Sequence, residues 1–509
     1  MKEEAYIREK LNDEESLIMN DAAEESFQKA THCTICGIRF TEKSQKVRDH
    51  DHLGVKGDVN SPTYSNFRGA TCDACNLQLK PPSFIPVIMH NLKGYDSHLL
   101  LSEATTIQKK KIACIPNNME KYLSFSIGNL RFLDSYQFMG SSLETLVDNL
   151  TRVEGEKHFK QFRKAFPSEQ QAKLLLQKNE YCYDYIESFD KFEETKLPVR
   201  DAFFNHHLTK KPLSEERYRH AQDVWRTFNM NTVGDYHDLY VKSDALLLCD
   251  VFERFREMTL EYYKLDACHF FSAPGLSWQA ALKMTKVCLD LVVDPIMYNM
   301  FELGTRGGVS MISQKYSKAN NKYLDDFDET LPSSYIMYFD KANLYGHSME
   351  QPLPTGFMRF LNEEELKHFD PQKITERSQL GYICEVDLEY PTNLHNSHNC
   401  YPLAPEHKQM DEEDLSPFSR SLWRELHGGK AKIKTGELIP TLENRKNYIV
   451  HYKTLALYCE LGLKITKIHR VLEFHQSPWL KPYIDFNSNM GKNDKNDFEK
   501  DFFKLMCNR

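Results

Sequence analysis

The chain has 509 residues, 41% hydrophobic and 27% charged, which is the composition of a packed globular protein of about three domains. A formal net charge of −8 excludes a global basic signature, so any nucleic-acid binding must come from local patches. No apolar run approaches the ~20 residues that span a bilayer, and the charged opening "MKEEAYIREKLNDEESL" is unlike a signal peptide.

Residues 1–30 read as an acidic helical lead-in. Residues 31–82 are rich in cysteine, histidine and turn formers and end in "KPP". From Phe84 the pattern turns to β-runs, "FIPVIMH" and "YLSFSIGNLRFLDSYQF". Between about 155 and 265 the periodicity predicts helices, the longest in "YVKSDALLLCDVFERFREMTLEYY". A "GTRGG" turn at 304–308 precedes a polar bridge at 317–334. The apolar run "SYIMYFD" then predicts a strand ending in Asp340, and the remainder reads as mixed α/β. No internal repeat is present.

Of thirteen cysteines, four form two CxxC pairs and nine are scattered, the usage of a reducing compartment. Cys33-x2-Cys36 and Cys72-x2-Cys75 each place two thiolates on a knuckle, and two knuckles supply the tetrahedral four-sulfur set of a structural Zn²⁺. Residues 37–71 exceed what a bare ribbon needs, so something is built between the knuckles. There lies "RDHDH", and Asn76 directly follows the last cysteine. A single-metal nuclease needs hard oxygens for Mg²⁺ or Mn²⁺, a base for water and cations for phosphate. Asp49 and Asn76 would supply the oxygens, His50 the base, His52 support for the site or the leaving group, and Arg48 and Arg68 the phosphate contacts. The same residues also suit a purely structural zinc module. The order CxxC…DHDH…RG…CxxCN resembles the HNH nucleases of the recombination endonuclease VII type over about 45 residues. That resemblance implies Asp49 and Asn76 as metal ligands and His50 as general base.

Further motifs recur in one order: "HNLKGYDSHLLL", "YHDLYVKSDALLLCDVFERF", "RGG", "YFDKANLYGHSM" and the closing "DFEKDFFKLMCNR". Singly they are weak, since an Asp at a strand end is usually a cap and Tyr-x3-Asp is common on helices. In series, from about Phe84 to Arg509, they resemble a family B DNA polymerase of the protein-primed type found in phages, linear plasmids and self-synthesising transposons. Transposon-type relatives also carry an endonuclease VII-like insertion, which would explain the adjacency of the two patterns. The resemblance implies that Asp96 and Asp244 hold exonuclease metals and that Tyr240 orients the attacking water. It implies that Asn91, Ser142 and Leu143 touch single-stranded DNA. On the polymerase side Asp340 would be a catalytic Mg²⁺ ligand, Tyr345 the steric gate, and Lys504 and Asn508 the contacts to the incoming nucleotide. Arg306, Gly307 and Gly308 would form the DNA-binding turn between the activities, although Thr305 stands where the family has an aromatic residue.

Two departures matter. No DxE strand precedes Asn91, and no DTD strand follows the fingers motif, in which Arg509 stands at the Ser position. The expectation is therefore a polymerase-family chain that neither polymerises nor proofreads as written. The rival readings are an HNH endonuclease acting on branched DNA from a relic polymerase platform, and a non-catalytic DNA-binding protein.

The expected fold class is mixed α/β. After the lead-in it runs through a zinc HNH (ββα-metal) module at 31–82, a partial RNase H-like exonuclease domain at 83–265, a helical linker at 266–330 and partial polymerase palm and fingers at 331–509. Expected partners are primer-template, single-stranded and branched DNA, dNTPs and a terminal protein, with no membrane. The setting is intracellular and, in a eukaryotic host, nuclear, although "QKKKIA" at 108–113 is too short to serve as an import signal. A basic stretch from Arg424 to Arg470 carries ten Lys/Arg against four Glu and interleaves Tyr448, Tyr452 and Tyr458; it reads equally as a nucleic-acid patch or as a solvated face with core tyrosines.

Overall fold

In the computed structural model the described residues are 2–12, 16–52, 61–78, 84–94, 96–104, 112–118, 120–204, 212–428, 436, 438–493 and 496–508. The chain divides into two compact units, one of residues 1–277 with 494–502 and one of residues 278–493 with 503–508. "QKKKIA" and the side chains of Asn508 and Arg509 lie wholly or largely outside the described residues.

The first unit opens with helices α1 (Lys2–Asn12) and α2 (Asp21–Lys29), followed by the antiparallel hairpin β1 (Lys46–His50) and β2 (Phe67–Cys72) and the short helix α3 (Asp73–Gln78). Asn20 caps α2 by accepting from the Ala23 amide at 2.8 Å. The α2 helix then covers one face of the hairpin. Phe27 meets Phe67 edge-on at 6.1 Å, the Arg48 guanidinium lies 4.1 Å over the Phe27 ring, and Arg48 pairs with Glu24 at 2.9 Å. Asn66 fastens the arm before α2: its side-chain oxygen accepts from Ile18 N at 2.7 Å and its amide donates to Ser16 O at 2.9 Å. Residues 16–29 thus pack as part of the cysteine-rich piece, although the sequence reads as a separate lead-in up to residue 30.

Both predicted β-runs after Phe84 form strands. The sheet order is β3 (Ile85–Met89), β6 (Leu130–Asp134), β5 (Tyr122–Ile127), β4 (Ile112–Pro116), with β3 parallel to β6 and the other pairs antiparallel. Helix α4 (Asp96–Ala104) follows β3, and Leu92, Phe125, Ile127 and Phe132 form the core between them. Helix α5 (Leu143–Glu154) leads to the long predicted helix, found at Val233–Tyr263 and opened by a Thr232/Asp235 capping box. Phe138 packs edge-on against Phe252 and Phe255 of that helix at 5.9 Å.

The second unit is built on a four-stranded antiparallel sheet in the order Arg445–His451, β8 (Leu380–Glu389), Lys464–Ser477, β7 (Leu353–Phe360). The alternation along β8 buries Cys384, Val386 and Leu388. Tyr448, Tyr452 and Tyr458 join that core, so the interleaved tyrosines of the basic stretch pack inward and do not form a stacking surface for bases. Arg445, in the same stretch, is fully buried and donates to the carbonyls of Ala404, Glu443 and Thr441.

One predicted element does not form. Residues 335–340, expected as a strand, run without a strand partner, and Tyr338 and Phe339 are 91% and 79% exposed. Apolar β-propensity creates a strand only where a neighbour pairs with its backbone groups, and no described strand flanks this segment.

Candidate functional site

The cysteine-rich piece brings its four sulfurs together as the spacing predicts. Cys33, Cys36, Cys72 and Cys75 place their Sγ atoms within 4.8 Å of one another. The Cys36–Cys72 separation of 3.8 Å equals the edge of a sulfur tetrahedron built on Zn–S bonds of about 2.3 Å. The first knuckle is held against β2: Thr34 N and Thr34 Oγ1 both donate to Ala70 O, at 2.9 and 3.1 Å. This close approach explains the glycine of "RGA", because a Cβ on Gly69 would lie 2.9 Å from Thr34 Oγ1. Burial raises the Cys33 thiol, but hydrogen bonds from the Cys36, Cys72 and Ile35 backbone outweigh it and leave Cys33 at about 6. Burial and the neighbouring sulfurs push Cys75 up to about 12. Four sulfurs this close ionise together only around a dication, so the donor set suits Zn²⁺. Among the described residues this is the one group of three or more ligating side chains close enough to share an ion.

The nuclease candidates ride on the same scaffold. Asp49 and His50 close β1, and Asn76 sits on α3 directly after the last cysteine. Thr71 Oγ1 donates to Asn76 Oδ1 at 3.5 Å, and Thr71 pairs in register with Val47, two residues before Asp49. The His50 and His52 rings lie 4.0 Å apart, tilted by 41°. The arginines have partners: Arg48 faces α2 and Glu24, and Arg68 grips Asp49 with two hydrogen bonds of 2.7 and 3.0 Å.

In the rest of the first unit the exonuclease-type candidates lie in two places, Asn91 and Asp96 just after β3 and Tyr240 and Asp244 on the long helix. Asn91 occupies a left-handed turn (φ 61°) just after β3, and a Cβ on Gly94 would lie 2.7 Å from Asn91 Oδ1, so a larger residue there would displace the Asn91 amide. Asp96 opens α4, its carboxyl raised by burial and by Asp134. Asp134 is fully buried and accepts from the amides of Lys93 and Tyr136. Tyr240 and Asp244 share one face of the long helix. The Tyr240 hydroxyl meets Tyr183 OH at 2.5 Å, and its ring stacks on Tyr181 at 4.6 Å. Burial raises the Asp244 carboxyl, opposed by Lys178 and a hydrogen bond from Tyr240, and its Oδ1 is buried without a partner. Sequence reasoning passed over Lys178, whose Nζ lies 3.9 Å from Asp244; a lone lysine in "LQKNEYCY" carries no pattern. Ser142 and Leu143 have structural roles here, Ser142 capping α5 and Leu143 entering the core.

The polymerase-side candidates are dispersed in the second unit. Asp340 ends the exposed, unpaired segment, and Tyr345, 75% exposed, lies on a short helix just beyond it. Lys504 is exposed on the helix Asp497–Asn508. Arg306 lies 4.1 Å over the Tyr448 ring and donates to Ile449 O, while Gly307 and Gly308 face open space. No described helix is long and apolar enough to cross a membrane.

No protein-family model matches the chain, and no curated protein matches it. Among solved structures it is similar to Phi29 DNA polymerase complexed with primer-template DNA and incoming nucleotide, with 14% identity and a TM-score of 0.43. It is similar also to the orthorhombic form of that polymerase (12%, 0.42) and to its complex with single-stranded DNA (13%, 0.41). The first two likenesses cover 83% of this chain and the third 86%, and the chain spans only 58–60% of the length of those polymerases.

Proposed function

We propose that the chain is a DNA-processing protein of the family B polymerase type whose hydrolytic chemistry resides in the zinc-built hairpin and helix. One observation carries this reading: the four-sulfur centre pins the strand–strand–helix unit on which Asp49, His50 and Asn76 are mounted. Asp49 and Asn76 offer hard oxygens suited to Mg²⁺ or Mn²⁺, which when bound activates water and neutralises phosphate charge. His50 accepts the proton of the attacking water, and His52 supports the leaving side. The substrate is DNA, branched DNA in particular. The test is cleavage of a branched duplex by the zinc-loaded chain. Activity that vanishes in His50→Ala and Asn76→Ala, with zinc content unchanged, supports the reading; a wild-type chain that binds zinc and cleaves no DNA overturns it.

A second reading concerns the Tyr240–Asp244–Lys178 cluster with Asn91 and Asp96, and it is favoured by the buried, unpartnered Asp244 Oδ1. The cluster would receive a single-stranded 3′ end, with Asp96 and Asp244 as metal carboxylates. Asp340, Tyr345, Lys504 and Asn508 would serve primer-template and dNTP. Binding of a single-stranded oligonucleotide that is unaffected by Asn91→Ala or Lys178→Ala would refute the 3′-end site, and primer extension measures the polymerase side directly.

A further inference from the structure

The hairpin register holds an irregularity at the proposed nuclease site. Asp49 pairs with Gly69 and His50 with Phe67, which leaves Arg68 as the extra residue of a β-bulge. A bulge re-aims a side chain, and here it turns the Arg68 fork onto Asp49. Nε meets Oδ2 at 3.0 Å and Nη2 meets Oδ1 at 2.7 Å, so both carboxylate oxygens are taken by one planar cation. The Asp49 carboxylate is nearly buried, with its side chain 9% exposed, whereas the Arg68 side chain is 46% exposed and free to leave. Arg48 is not equivalent, since it is stacked on Phe27 and paired with Glu24 on the opposite face.

We propose that Arg68 is a latch: its guanidinium occupies the ion's place on Asp49 until a divalent cation displaces it, and the released fork then grips a DNA phosphate. The inference rests on the reading of Asp49 as an ion ligand and adds its regulation. Two consequences follow from the shared carboxylate. The latch competes with the ion, so removing it strengthens ion binding. It also couples the two ligands, because the ion releases the arginine that binds phosphate, and such coupling is reciprocal.

Binding of Mn²⁺ to the zinc-loaded full chain, followed by electron paramagnetic resonance, tests the first consequence without activity as a readout. Arg68→Gln should bind Mn²⁺ about three- to tenfold more tightly than wild type, the range for a half-exposed, charge-assisted pair. Arg68→Lys, which keeps the charge but not the fork, should fall between them. Fluorescence anisotropy on a labelled branched duplex, in a His50→Ala background, tests the second: Mn²⁺ should tighten DNA binding by a larger factor when Arg68 is present than in Arg68→Gln, and equal factors would refute the coupling. If Asp49→Asn abolishes the Mn²⁺ signal while Arg68→Gln leaves the affinity unchanged, the latch is refuted and the ion site stands. If Asp49→Asn leaves Mn²⁺ binding intact, the ion site itself is refuted and the latch with it. Zinc content of each variant reports whether the hairpin has folded.

Discussion

The contact between Thr34 and Gly69 offers a direct test of the zinc centre, because it couples one knuckle to the strand that leads to the other. An alanine at position 69 would bring its Cβ to 2.9 Å from Thr34 Oγ1, 3.1 Å from Thr34 Cγ2 and 3.4 Å from Thr34 Cβ. Gly69 does not have the positive φ that favours glycine, so the penalty is steric rather than conformational. Thr34 is tied through both its amide and its hydroxyl to Ala70 O, so it cannot retreat without moving the Cys33–Cys36 turn. Overpacking of this kind costs about 1–3 kcal/mol, which as lost zinc affinity is roughly 5- to 150-fold. Thr34→Ala removes two of the three offending atoms and one hydrogen bond worth about 1 kcal/mol. It should therefore weaken zinc slightly alone, yet recover most of the loss when combined with Gly69→Ala. Competition against a chromophoric chelator reads all four proteins of the cycle. A Gly69→Ala chain that holds zinc as tightly as wild type, or a double variant no better than Gly69→Ala, would refute the account of how the knuckles are mounted.

Asp244→Asn should stabilise the chain at neutral pH. Burial raises the folded-state carboxyl above its unfolded value, so the native state is disfavoured as pH climbs through that interval and spared below it. The gain in thermal midpoint should be present at pH 7 and shrink toward pH 4; a gain independent of pH would argue against an ionised Asp244 whose burial outweighs Lys178 and Tyr240. Arg445→Leu should cost about 3–5 kcal/mol in a denaturant titration, since it strands the carbonyls of Ala404, Thr441 and Glu443 in the second unit's core. Tyr338→Ser with Phe339→Ser should lower binding of an apolar dye such as ANS and leave the melting temperature unchanged; a drop in melting temperature would mean that these rings are packed rather than exposed.

What was legible in the sequence was chemistry that is local. Two CxxC pairs announce a metal centre because ligand spacing within each knuckle needs no knowledge of the rest of the fold, and the sulfurs are gathered accordingly. The long helix was legible for a similar reason, as its period lies in one continuous stretch. The sequence reading of "SYIMYFD" as a strand failed on the opposite ground, for strand formation depends on a partner that composition does not reveal. Tyr448, Tyr452 and Tyr458 suited a stacking surface or a core equally, and only the inward-facing register of the second sheet separates the two.

The same distinction bears on the site itself. On the proposed reading Asp49, His50 and Asn76 form a metal-and-base set, but a one-residue slip in pairing decides what Asp49 touches. With regular pairing, Arg68 would take its turn in the ladder; as the bulge residue it closes on the carboxylate instead. A sequence pattern can therefore name the parts of a hydrolytic centre while saying nothing of whether they are poised or latched. The proposed latch puts that difference in a single guanidinium, and comparing the ion affinities of wild type and Arg68→Gln measures it.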